Sequence, residues 1–591
     1  MSAIAPPVGT ARPPTTAPTA QTPATAPKPP KKVGHDLSTK VLIGLVIALL
    51  LLLIGYPLAR VLWNAFTADG RQVLSHIFSS DTSNPKVVLR TLILGLTVGS
   101  LGTVIGFLIA YAQVRLHYRG KKIVHLLALM PIVSPPFAVA TATITLFGRR
   151  GLISHGLFGL SISPYGLGGL TFVLALSFFP VAYMNFKGML EHLDPALDEA
   201  AQSLGARKWH IFWTVTLPML VPGIAGSFLL LFVEAIADLA NPLAIGGDYT
   251  VLASRAYIAI TGEYNLSQGA AYSVVLLFPA LLVFLVQRYW VSRKSVVAVT
   301  GKPAGKPQLV RSGVGRTVLL IVLGVFVALI VLMYGTVIVG GFIQSLGINN
   351  TWTLDNYRFI LQGIGSEAMW KTTAMALVAT PVAGVLGMLI AWMVVRKLRG
   401  SAAGAMDFIG MLGLAVPGVV VGIGYMTAYN KAFVHDGWQF FPALTGGRAI
   451  IGGALGIVLV YIIRSMPSGQ RSGVAALQQI DPAIDEASTS LGASGLTTFR
   501  LITLPLIRPA FLSGLSYSFA RSMTTLSPII FITTPKTKIM TSQIFAEVDA
   551  GRFGHAFAYC TILIIIVMAV IGLINLVVRD RSPMANVGLG S

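Results

Sequence analysis

Glu234, Asp238 and Arg521 stand inside apolar stretches of this chain, where a charge is costly and so informative. Glu234 and Asp238 lie four residues apart in one such stretch, a spacing that predicts a shared helix face. Arg521 stands 287 residues after Glu234, at the equivalent place of a second, similar stretch, with Thr525 matching Asp238. Two chemistries suit this set. A carboxylate and a guanidinium can form an ion pair that locks two parts of the chain together. Alternatively, carboxylate oxygens can line a route for a hard cation. No bond-making machinery accompanies them: Gly301–Pro307 lacks the spacing of a phosphate-binding loop, and there is no H-E-x-x-H or paired-cysteine site. His125, His155, His210 and His555 are scattered and read as interfacial or loop residues. The one cysteine, Cys560, excludes an internal disulfide.

A second constellation is polar and occurs twice. Leu193–Pro218 reads LDPALDEAAQSLGARKWHIFWTVTLP, and Ile480–Pro505 reads IDPAIDEASTSLGASGLTTFRLITLP. In each, Asp-Pro is a helix start, an acceptor at the cap followed by a residue whose missing N–H costs nothing. Gly205 and Gly492 stand where the helix should stop in the left-handed conformation. Between them fits a helix of roughly ten residues, about 15 Å long and too short to cross a membrane. Leu217–Pro218 and Leu504–Pro505 are expected to open the next span.

The elements positioning these residues must be membrane helices. Of 591 residues, 54% are hydrophobic and 11% charged, and the mean hydropathy is +0.76. A soluble chain of this size could not keep so much apolar surface from water. Twelve apolar windows fall near 41–63, 90–113, 123–147, 168–187, 219–246, 269–290, 317–345, 371–395, 405–430, 450–466, 506–530 and 556–578. The net charge of +22 is assigned to the cytoplasmic membrane face rather than to nucleic acid. Arg115, Arg119, Lys121 and Lys122 cluster in one loop, Arg293 to Arg316 in the centre, Arg396, Lys397 and Arg399 in a third, and Arg579 and Arg581 after the last window. The positive-inside rule therefore places both termini, the central linker and both repeated phrases in the cytoplasm.

Residues 1–40, with nine prolines in the first 30, read as a disordered tail. The stretch Val41–Trp63 is too long for a signal peptide and reads as an uncleaved first span. The basic, Gly/Pro-containing segment 292–316 separates two six-span halves, 41–291 and 317–580, and 581–591 forms a C-terminal tail. Six spans per half give two parallel repeats. Further matches support duplication: Gly106–Tyr111 (GFLIAY) with Gly387–Trp392 (GMLIAW), Pro136 with Pro417, Pro180 with Pro467, and Pro222 with Pro509.

The repeated phrase resembles the EAA loop of permease subunits of type I ABC importers. Glu199, Ala200, Ala201, Gly205, Val215, Leu217 and Pro218 fit that pattern throughout. So do Glu486, Ala487, Gly492, Ile502, Leu504 and Pro505, with Ser488 replacing the second alanine. The resemblance implies an all-α membrane protein of about twelve spans, whose two short helices dock on two ATPase subunits. The acidic residue would contact the ATPase and the glycine would allow the turn. The chain itself would hold no cofactor and catalyse nothing; ATP and Mg would be bound by the partner ATPase. A periplasmic binding protein would deliver the substrate, and the chain would sit in a bacterial inner membrane. The run Ala240–Gly247 (ANPLAIGG) and the linker residues Arg293–Lys302 are similar to the ferric-iron uptake permeases. That likeness implies ferric iron as substrate, with phosphonate, polyamine or thiamine as the alternative. A secondary transporter driven by an ion gradient would also give two six-span halves, but has no use for two ATPase docking helices.

Overall fold

The computed structural model describes residues 37–79, 83–291, 313–436 and 438–579. Most of the tail 1–40 and of the linker 292–316, and the C-terminal residues from 580, lie outside the described residues.

Among the described residues the chain is helical, apart from two short hairpins. Nine helices are long and apolar enough to cross a membrane. They are Leu37–Ala65, Asn84–Arg115, Leu167–His192, Trp209–Ala237, Leu266–Trp290, Val314–Gly341, Ser366–Lys397, Ile450–Leu477 and Phe553–Leu576. Two further pairs, Lys121–Val133 with Phe137–Phe147 and Gly400–Ala415 with Gly418–Tyr429, are bent by 104° and 98°. Counting each bent pair as one span gives eleven. Nine to eleven of the twelve expected windows are thus candidate spans by length and composition. The window 506–530 yields only the 17-residue helix Arg508–Thr524. It carries Arg508, Arg521 and several serines, so it lacks the apolar surface of a lipid-facing span.

The bends have a local cause. Ser134 precedes Pro135–Pro136, and Val416 precedes Pro417; both are extended, with ψ of 150° and 127°. A residue before proline is driven out of the helical region, and proline cannot donate to the preceding turn. The two breaks occupy matching places in the repeats.

The halves also repeat their packing. A Cβ on Gly106 would lie 2.6 Å from Ala182 Cβ, and one on Gly387 would lie 2.6 Å from the Met466 carbonyl oxygen. The glycine of the GFLIAY and GMLIAW matches is therefore what lets two helices touch backbone to backbone, the packing available where lipid supplies no hydrophobic drive. At the end remote from the repeated loops, Thr91 Oγ1 accepts from Leu252 N–H at 2.8 Å, and Thr372 Oγ1 from Met540 N–H at 2.8 Å. Arg90 donates to the Asp248 carbonyl as Lys371 does to that of Lys536.

The first helix of each half packs against the other half. Tyr425 and Tyr429 donate to the carbonyls of Leu53 and Leu52 at 2.9 and 2.5 Å. These carbonyls lie in a widened π turn, Leu51–Gly55, where the regular ladder is interrupted and a side-chain donor is needed in an apolar setting. In the reverse direction, Tyr334 of Val314–Gly341 bonds Ser134 at 2.8 Å, and Phe326 meets Phe179 edge-on with centroids 4.9 Å apart. The hairpins Ile343–Ser345/Asn349–Trp352 and Phe433–His435/Trp438–Phe441 are antiparallel, with registers Ile343 to Trp352 and His435 to Trp438. Cys560 is fully buried in the core.

Candidate functional site

The repeated loops fold alike. Asp194 Oδ1 accepts from Ala196 N–H at 3.0 Å and Asp481 Oδ1 from Ala483 N–H at 2.9 Å, which satisfies a donor at each helix start. The helices are Pro195–Ser203 and Ala483–Ser490. They end at Gly205, φ +83°, and Gly492, φ +86°. Ala206 N–H then reaches the Ala201 carbonyl at 3.0 Å and Ala493 N–H that of Ser488 at 3.2 Å, the paired closure of a Schellman end. The departure from pattern at Ser488 is accommodated: its hydroxyl is buried and bonds Thr498 Oγ1 at 2.9 Å.

One face of each short helix is fixed to the membrane bundle. Arg115 Nη1 lies 2.7 Å from Asp198 Oδ2, and Arg396 Nε lies 3.0 Å from Asp485 Oδ2. Arg396 also donates to the carbonyls of Leu477 and Ile480 at 3.1 and 2.7 Å. The opposite face is open. Glu199, Ala200, Glu486 and Ala487 are exposed, while Leu204 and Leu491 stand 88% and 89% exposed at the glycine end. An exposed acid and, at the glycine end, a bare leucine recur at both copies, an unusual use of surface. Asp198 and Asp485 were invisible as anchors in the sequence, where their partners, Arg115 and Arg396, count only as charges at span ends.

The Leu-Pro pairs do not open the next span as expected. Its helix already runs from Trp209, and Leu217–Pro218 lies inside it, just after the π turn Phe212–Thr216. Leu504–Pro505 follows the equivalent turn Phe499–Thr503. A proline inside a helix leaves the carbonyl four residues back without its N–H; widening the turn accommodates this, and Leu217 and Leu504 N–H reach back five residues to Phe212 and Phe499.

The intramembrane set lies at a cavity of about 170 Å³ between the halves, walled by both proline breaks. Glu234 Oε1 and Arg521 Nη2 are 3.6 Å apart across it. Asp238 does not share the Glu234 helix face. The helix ends at Ala237, and Asp238 is extended, with ψ 135°. Its Oδ2 accepts from Asn241 N–H and Nδ2 at 2.9 and 3.0 Å. Asp238 thus bonds into the first turn of the short helix Ala240–Ile245, and that local competition breaks the window expected to run to residue 246. The cavity also holds Arg464, which sequence reasoning passed over although it falls inside the predicted window 450–466. Its Nη1 donates to the carbonyls of Gly413 and Val416 at 3.0 and 2.8 Å. Among the described residues no group of three or more His, Cys, Asp or Glu could hold a metal. His125 sits on a helix, its Nδ1 2.6 Å from the Tyr183 hydroxyl, and His555 lies 3.0 Å from Glu547.

The family described as binding-protein-dependent transport system inner membrane component matches residues 102–296 and again 383–582. The chain belongs to this family. It is an ABC importer permease with two family domains fused in one chain, a multi-pass inner membrane protein and not itself an ATPase. Such a permease works with a binding protein and an ATPase as partners. The chain is 35% identical over 508 residues to a ferric transport system permease protein of Actinobacillus pleuropneumoniae, covering 84% of this chain and 71% of that one. It is 24% identical to an Fe(3+)-transport system permease protein of Haemophilus influenzae, covering 88% and 96%. A thiamine transport system permease protein of Escherichia coli is 25% identical, covering 72% and 76%.

Proposed function

We propose that this permease carries ferric iron, delivered by a periplasmic binding protein, into the cytoplasm, and that two ATPase copies drive it through the loops 193–218 and 480–505. The observation that carries the coupling reading is the twin geometry. Each loop is a capped helix clamped by an arginine on one face and offering an acid, Glu199 or Glu486, and a bare leucine on the other. Ala200, Ala201, Gly205, Leu217 and Pro218, with Ala487, Gly492, Leu504 and Pro505, build the helix, its stop and the widened turn behind it. Alternating access then follows from ATPase closure moving both helices together, with Glu234, Asp238 and Arg521 beside the route between the halves.

Iron as cargo is supported by the 35% identity to a ferric permease over most of both chains. The thiamine relative favours an organic solute as the second reading, at lower identity. The side assignment is supported by position: the basic ends Arg115 and Arg396 lie at the repeated loops. Thr39, near the start of the first helix, also lies against Gly495 of the second loop. Both termini are accordingly assigned to the cytoplasm.

The test is ATP-dependent uptake in vesicles holding the permease, its ATPase and its binding protein. Iron uptake that requires ATP and is lost in the double variant Glu199→Ala, Glu486→Ala supports the proposal. Uptake that survives ATP depletion but collapses with the proton gradient overturns the coupling reading, and stimulation by thiamine but not by iron overturns the cargo.

A further inference from the structure

A slot opens on the outer surface of the bundle where the two halves meet. Ile47 and Leu50 of the first helix form one side, and Ala402, Ala405, Met406 and Ile409 of Gly400–Ala415 form the other. Its volume is about 250 Å³, and every side chain that lines it is apolar. Water would find no hydrogen-bond partner there. Duplication has not kept this wall alike in the two halves. At the 281-residue offset that matches Gly106 with Gly387, Ala402, Ala405 and Met406 correspond to Lys121, Val124 and His125. Lys121 lies over the Tyr118 ring, and His125 bonds Tyr183.

Cations stand at the mouth of the slot. Lys40 precedes Ile47 by seven residues, two turns away on the same helix face. Arg399 directly follows Leu398, which also lines the slot. Both cations are exposed. The neighbouring charges are already engaged. Arg396 pairs with Asp485 at 3.0 Å, and Lys397 Nζ lies 5.0 Å from the centre of the Trp392 ring. Asp407, the one acid of Gly400–Ala415, pairs with Arg288 at 2.6 Å.

A phospholipid with an anionic headgroup matches both parts, its hydrocarbon the slot and its phosphate the ammonium and guanidinium groups. Residues 1–36 of the chain match neither, being rich in Pro, Ala and Thr with few bulky apolar side chains. We propose that one acyl chain of an anionic phospholipid lies in this slot, with its headgroup between Lys40 and Arg399. The lipid braces the first helix against the second half, beside the second repeated loop. Thr39 of that helix is buried there, and a Cβ on Gly495 would come within 2.7 Å of its hydroxyl.

The test places the full chain in phosphatidylcholine nanodiscs doped with phosphatidylglycerol that carries a photoactivatable diazirine in its acyl chain. Irradiation and peptide mapping should find label on Ile47 or on residues 402–409. Unlabelled phosphatidylglycerol should compete at least about fivefold better than phosphatidylcholine, the worth of one cation near a headgroup. Lys40→Gln with Arg399→Gln should abolish that preference while leaving label in the slot. Ala405→Phe, which fills the slot, should remove the label whichever lipid competes. The two variants remove different parts of the pattern, so misfolding cannot produce both results. Equal competition by the two lipids, or a preference that survives the double substitution, overturns the site. Label that appears only when residues 1–36 are deleted would show the tail to be the occupant and overturn it as well. Phosphatidylglycerol should also raise Tm more in the wild type than in the double variant; an equal rise overturns the bracing.

Discussion

Arg115 and Asp198 form an ion pair of 2.7 Å that joins the end of one membrane helix to a short helix outside the bundle, and both side chains are nearly buried. The pair recurs in the second half as Arg396 and Asp485 at 3.0 Å. A docking helix attached only by its chain ends would swivel when pushed. One pinned through a buried charge moves with the helix that carries the arginine. In the proposed coupling the three acids of each loop therefore divide the work: Asp194 and Asp481 cap the helix, Asp198 and Asp485 hold it to the bundle, and the exposed Glu199 and Glu486 are left for the partner.

That division predicts different defects. Removing one partner of a buried pair leaves the other charge uncompensated, a cost of roughly 3 kcal/mol. Asp198→Asn together with Asp485→Asn should leave ATPase association in pull-down assays largely intact but cut transport per ATP hydrolysed. Glu199→Ala with Glu486→Ala should weaken association itself. Identical behaviour of the two double variants would show that the acids do not divide in this way.

Glu234 and Arg521 predict a rescue. Either Glu234→Arg or Arg521→Glu alone places like charges 3.6 Å apart and should lower Tm and folded yield. The combined reversal restores the pair and should recover most of the loss, measured by fluorescence size-exclusion on heated samples. A double variant as damaged as the worse single one would argue that the residues do not act as a pair.

Much of this was legible in the sequence, and what escaped was local. The caps at Asp194 and Asp481 and the stops at Gly205 and Gly492 follow from side-chain chemistry that needs no distant partner. The proline matches were legible as duplication, but only Pro136 and Pro417 mark breaks, while Pro180, Pro222, Pro467 and Pro509 lie within helices. Asp238 escaped because helix periodicity assumes the helix continues, whereas Asn241 offers the backbone a competing bond. The Leu-Pro pairs escaped because proline reads as a helix start, and only the π turn before it lets the helix begin earlier. Arg115 and Arg396 were legible as positive charge, but their partners lie 83 and 89 residues on, and no local pattern connects them.

Close helix contact predicts where a methyl group is harmful. At Gly387 the nearest atom to an added Cβ is backbone, so the neighbour cannot turn aside. Gly387→Ala and Gly106→Leu should each destabilise by roughly 1–3 kcal/mol, whereas Gly404→Ala, on the helix Gly400–Ala415 with nothing within 4 Å, should stabilise by up to about 1 kcal/mol. Thermal unfolding of the three variants checks this, and equal Tm values would contradict the packing described.

Glu547 predicts a weak acid sensitivity. It lies outside the spans, on the helix Met540–Asp549. Burial pushes its carboxyl up, but bonds from Arg552 and His555 outweigh burial and hold it below the usual value. A lowered folded pKa contributes stability above the unfolded value, near 4.3, that is lost as pH falls through the folded one. The contribution is under about 1 kcal/mol because the Arg552 side of the pair is open to water. Wild type and Glu547→Gln should differ in Tm at neutral pH and converge in acid; a constant difference would rule out this linkage.

The central claim is that each half presents one docking helix to one ATPase. Disulfide crosslinking tests it most directly. In a Cys560→Ala background, single cysteines replace Leu204 or Leu491, the exposed residues at the two helix ends, and an ATPase carrying a cysteine in its docking groove is added. The account predicts a crosslink from each position, two ATPase copies on the double-cysteine chain, and loss of both when Gly205→Val and Gly492→Val remove the left-handed stops. Crosslinking from only one position, or from neither while the assembled complex still hydrolyses ATP, would contradict it.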